Sequence, residues 1–117
     1  MEAAVELLIA HGWWLFREDF LEIAVEFGQT TADGTVLAAV DWEAAVADLD
    51  SGRLPCSSSE GQMLRLAASI ADGTLLDLRS ALSGLDESNA ALAAAAVLHA
   101  AGWPDRAWWL LAGSERP

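Results

Sequence analysis

Residues 57–73 read Ser-Ser-Ser-Glu-Gly-Gln-Met-Leu-Arg-Leu-Ala-Ala-Ser-Ile-Ala-Asp-Gly, and this stretch decides the class of fold. Ser57 and Glu60 stand at the spacing of a capping box, in which the serine hydroxyl accepts from the Glu60 amide while the glutamate carboxylate accepts from the Ser57 amide. Met63, Leu64, Leu66, Ala67 and Ile70 then recur at helical spacing, and Gly73 is a C-terminal stop. The segment is an amphipathic helix with both ends specified locally.

The same grammar extends in both directions. Downstream, Asp77 to Leu82 reads as a short helix ending near Gly84. Asp86 caps another from Glu87 to Ala101, with Leu92, Ala95, Ala96 and His99 on one side and Gly102 as its stop. Alanine dominates that helix, so neighbours can approach it closely. Pro104 suits the first turn of a last helix through about Ala112. Upstream, Asp41 is the N-cap for a helix over Trp42 to Leu49, stopped by Ser51-Gly52.

The first forty residues carry two further helical patterns. Val5, Leu8 and Ile9 recur at helical spacing between Glu2 and the stop at His11-Gly12. From Arg17 to Phe27, one face holds Phe16, Phe20, Ile23, Ala24 and Phe27, while Glu18, Glu22 and Glu26 repeat every four residues on the other, and Gly28 closes the helix. Gln29 to Thr35, with the turn signal Asp33-Gly34, is a loop. Val36 to Val40 has strand character, but no other strand pattern is available to pair with it, so it is expected as an extended connector. The expectation is an all-α fold: a compact bundle of five or six short helices in one domain spanning residues 1–117.

Leu54-Pro55-Cys56-Ser57, Met63-Leu64-Arg65-Leu66-Ala67-Ala68-Ser69 and Asp77-Leu78-Arg79-Ser80-Ala81-Leu82 are similar to segments of small proteins encoded by high-GC actinobacteria, over the central and C-terminal parts of the chain. The resemblance implies no activity.

Composition narrows the function classes. A chain of 117 residues fits one domain and can bury about two-thirds of its extended surface. With 54% hydrophobic residues it is too apolar to be intrinsically disordered, and a single cysteine, Cys56, excludes an internal disulfide. There is no lysine, which excludes a phosphate-loop lysine and Schiff-base catalysis, and no tyrosine. The net charge is −12, and residues 1–50 hold eleven acids against Arg17 alone. Direct nucleic-acid binding, which depends on clustered cations, is thereby disfavoured, and a basic protein partner is favoured. The N-terminus lacks a basic region, Leu7 to Ala10 is too short for a secretory core, and Ala90 to Ala101 is too short to span a bilayer. A cytoplasmic protein without a membrane contact is expected.

Catalytic templates fail one by one. Cys56 lies before a helix N-terminus, a setting that can activate a thiol, but a phosphatase loop needs an arginine where Gln62 stands. His11 and His99 read as packing residues, and Cys56 as an inert structural thiol. Ser57, Ser58 and Ser59 lack the Gly-x-Ser-x-Gly frame and are explained by capping. Neither histidine has a glutamate three residues before it, and one thiol with two imidazoles makes no recognisable metal set. No metal, cofactor or enzymatic activity is expected. The helix pair flanking Ser83-Gly84 has a helix-turn-helix outline, but Asp86 and Glu87 open its second helix where a DNA reader needs cations or amides.

Two features remain as candidates for partner binding. The chain has six tryptophans, including the adjacent pairs Trp13-Trp14 and Trp108-Trp109. Adjacent residues differ by about 100° around a helix, so at least one ring of each pair is expected near the surface. The alternative for these pairs is mutual packing that closes the bundle. The leading expectation is a non-catalytic protein-interaction module, homodimeric through these Trp-rich surfaces. The second is an acidic nucleic-acid mimic that occupies a basic nucleic-acid-binding protein. In it Glu18, Glu22 and Glu26, rising about 6 Å per step, imitate successive phosphates.

Overall fold

Capping side chains set where four of the helices start. The computed structural model describes residues 2–103 apart from 31, 33 and 35. Within them the elements run α1 (Glu2–His11), a 3-10 turn (Trp14–Phe16), α2 (Glu18–Ala24), β1 (Val25–Thr30), β2 (Val36–Val40), α3 (Trp42–Asp50), α4 (Ser58–Asp72), α5 (Leu78–Leu82) and α6 (Glu87–Ala100). The helix expected over 104–112 lies outside the described residues.

Two aspartates cap as expected, Asp41 accepting from the Ala44 amide and Asp86 from Asn89, and Asp77, read from the sequence as the first helical residue, is a cap as well and accepts from Ser80. The capping box of α4 is complete, with Ser57 Oγ 3.3 Å from the Glu60 nitrogen and Glu60 Oε1 2.7 Å from the Ser57 nitrogen. At its far end Gly73 takes φ 69°, a left-handed cap that costs glycine nothing, and donates to the Ser69 carbonyl.

α4 is the central helix, packing against α1, α3, α5 and α6. Met63, Leu64, Ala67 and Ala68 on it are fully buried. α1 contributes Ala4, Leu7 and Leu8, and α6 contributes Ala93 and Ala96, with Leu92 partly buried. Small side chains at the α1–α6 contact allow the close approach that the alanine content suggested, although the buried line of α6 runs through Ala93 rather than Ala95. Trp14, Phe20, Leu54, Met63 and Leu64 are among the largest fully buried residues. Burying a side chain of this size contributes about 1.5–3 kcal/mol. The result is the expected all-α architecture of short helices, with one addition.

The addition is a β-hairpin. The helix expected from Arg17 to Phe27 ends at Ala24, and the chain becomes strand β1, antiparallel to β2. Val25 pairs with Val40, Glu26 with Ala39 and Phe27 with Ala38. After a register shift at Gly28, Gln29 pairs with Leu37 and Thr30 with Val36. Gly28 therefore marks a strand irregularity instead of a helix stop. The expected connector at Val36–Val40 is a strand, because its partner was concealed inside an apparently helical pattern. The Asp41 amide closes the base of the hairpin on the Ala24 carbonyl at 2.6 Å.

α3 approaches α4 at Gly61, where a β-carbon would stand 3.4 Å from Cys56 Sγ and 3.7 Å from Leu49 Cδ1. These are ordinary contacts, and alanine favours a helix interior over glycine by about 1 kcal/mol. Gly61→Ala is expected to raise stability by up to about 1 kcal/mol, and Ser57→Ala to lower it by about 1 kcal/mol through loss of the cap. Urea denaturation of the two variants, with unchanged slope, checks both signs.

Candidate partner-binding surface

The turn between α1 and α2 separates the two rings of the first tryptophan pair. Trp13 precedes the 3-10 turn as its N-cap, its carbonyl accepting from the Phe16 amide, and the Trp13 and Phe16 side chains are both exposed. Trp14 turns inward and is fully buried. Its Nε1 donates to the Glu60 carbonyl at 2.9 Å. Its ring meets Phe20 with centroids 5.4 Å apart, and the Arg17 guanidinium carbon lies 5.1 Å from its centroid. Trp14 is therefore a core residue and not part of a partner surface, a correction to its sequence assignment.

Arg17 completes this joint. Its Nε donates to Asp19 Oδ1 at 2.9 Å, its Nη2 to Asp19 Oδ2, and its Nη1 to the Pro55 carbonyl. The hydrogen bonds from Arg17 hold the Asp19 carboxyl below the usual carboxylate range. The one cationic side chain of residues 1–50 is thus engaged within the fold.

Outside the joint, three apolar side chains face solvent within eight residues of chain: Ile9 at 60% exposure, Trp13 at 40% and Phe16 at 81%. The Phe16 ring lies beside Gly12, where a β-carbon would be 3.9 Å from Phe16 Cε2. Ile9 and Phe16 were assigned to core faces by periodicity. Ile9 is outside because α1 buries Ala3, Ala4, Leu7 and Leu8, leaving Glu2, Glu6, Ile9 and Ala10 on the opposite side. Phe16 is outside because it belongs to the turn and not to α2. The trio had one usable signal: Ile9, Trp13 and Phe16 succeed one another at four- and three-residue steps across the helix stop at Gly12.

Glu18 and Glu22 are exposed one turn apart on α2, as expected. Glu26 is exposed too, but on β1, so the two-step helical row is cut to a single step. Trp108 and Trp109 lie outside the described residues. A second exposed apolar group, missed in the sequence, is Leu75, Leu78 and Leu82 around α5, whose buried residue is Ala81.

The potential reactive groups are quiet. Cys56, expected as a packed thiol, is exposed. Local burial of its sulfur, and next the Glu60 carboxylate, nevertheless push its pKa up, so the helix N-terminus does not yield a thiolate. Among the described residues no three His, Cys, Asp or Glu side chains are grouped to hold a metal ion, and no helix is long and apolar enough to cross a membrane. No family model matches the sequence, and neither a curated protein nor a solved structure matches it.

His11 ends α1, with Glu60 and Asp86 among the charges that act on it, and its Nδ1 is buried without a hydrogen-bond partner. Burial lowers its pKa, and the two acids only partly oppose this. A lowered histidine pKa means that the unfolded chain takes up the proton first. The stability it contributes is therefore complete above about 6.5, the ordinary imidazole value, and is lost as pH falls through the lower folded value. His11→Gln should flatten the stability profile over that range in thermal melts. In the same assay Trp14→Ala should cost about 3–5 kcal/mol, as removal of a buried ring does, while Trp13→Ala should cost less than about 1 kcal/mol.

Proposed function

We propose that this protein is a non-catalytic protein-interaction module whose contact surface is centred on Ile9, Trp13 and Phe16. The observation that carries the reading is the exposure of these three apolar side chains beside a rigid joint. Trp14 fastens the turn to α4 and Arg17 ties it to the Pro55 carbonyl just before that helix, so the backbone of the turn is already placed. Aromatic side chains held in this way are the usual anchors of protein interfaces.

The mimicry reading depended on a glutamate ladder that now has only the Glu18–Glu22 step. Self-association through the tryptophan pairs loses Trp14, and a net charge of −12 on each copy opposes it. A different protein as partner suits both facts better.

A photo-cross-linking amino acid in place of Phe16, with exposed Ala90 on α6 as the control position, tests the proposal in cells that express the protein. Position 16 is expected to yield a discrete adduct with another protein that position 90 does not give. Adducts equal at both positions, or none at either, would refute the reading.

A further inference from the structure

We infer that the segment seated on Ile9, Trp13 and Phe16 is a basic amphipathic stretch of another protein, carrying one or two apolar side chains beside arginines or lysines. This rests on the interaction-module reading and adds the chemistry of the partner. The apolar trio is bracketed in the chain by exposed acids. Glu2 and Glu6 share the exposed side of α1 with Ile9, Glu18 follows Phe16 by two residues, and Glu22 lies one turn further along α2. None of these four carboxylates is in an ion pair among the described residues, whereas three of the arginines, Arg17, Arg53 and Arg65, are paired to Asp19, Asp48 and Asp50.

The sign of the rim selects among occupants. A second copy docked about a two-fold axis would set one acidic rim against the other around the apolar contact. An anionic lipid surface or a nucleic acid would meet the same repulsion. A cationic segment gains attraction at the rim and burial at the centre. Charge complementarity of this kind speeds encounter and rejects wrongly charged partners, while the apolar anchor slows release.

Fluorescence anisotropy with labelled helical peptides of about 18 residues tests this. One peptide has a leucine and tryptophan face with an arginine and lysine face. Two counterparts replace the cations by glutamine or by glutamate. The basic peptide is expected to bind the full chain, to weaken tenfold or more with Ile9→Ser/Phe16→Ser, and to weaken several-fold with Glu6→Gln/Glu18→Gln/Glu22→Gln. Its binding should also weaken when salt rises from about 0.05 M to about 0.5 M. Both the double and the triple substitution fall at exposed positions, and circular dichroism verifies that each variant is folded. Equal affinity for the glutamine peptide would overturn the basic-partner inference while leaving the contact surface standing. Unchanged binding of the basic peptide to the Ile9→Ser/Phe16→Ser variant would overturn it as well, since diffuse acidity would then account for the binding. Absence of binding by every peptide overturns it too, and the position-16 cross-link then shows separately whether the surface reading survives.

Discussion

The hydrogen bond from the Trp14 indole to the Glu60 carbonyl governs how the N-terminal quarter of the chain meets the rest. A buried indole N–H without an acceptor costs about 1–3 kcal/mol, so the ring can be fully buried only where a carbonyl is presented to it. The first turn of α4 presents one, and that turn is itself held by the Ser57–Glu60 capping box. Arg17 then spans the same junction from the other side, lying over the indole and reaching the Pro55 carbonyl. Orientation of everything between α1 and α2 follows from this joint.

That includes the surface. With Trp14 committed inward, its neighbours Trp13 and Phe16 are left exposed, as is Ile9 near the end of α1. The surface is an outcome of core packing, which fixes the backbone that carries it.

Electrostatics act on a different scale. The exposed pairs Arg53–Asp48 and Arg65–Asp50 contribute little to stability, since such pairs are worth about 0–1 kcal/mol. Their consequence lies in what they leave behind. Arg53 and Arg65 are tied to Asp48 and Asp50 and so are not available to Glu2, Glu6, Glu18, Glu22 and Glu26, in a half of the sequence that holds eleven acids against one arginine. The protein is acidic as a whole, but the acid is distributed where the apolar trio emerges.

The helical class and most helix boundaries are legible in local sequence: the caps at Asp41, Ser57 and Asp86, the stop at Gly73 and the core stripe of α4. Each rests on residues a few positions apart, so reading it needs no distant partner. Tertiary structure decided the rest. Ile23, Ala24 and Phe27 satisfy a helical period, yet Val25–Thr30 is a strand because Val36–Val40 offers it backbone partners that a local pattern cannot reveal. Likewise nothing in the dipeptide Trp13-Trp14 says which ring is buried. The choice is made by a carbonyl 46 positions away at Glu60, the acceptor that allows one indole, and not its neighbour, to leave water.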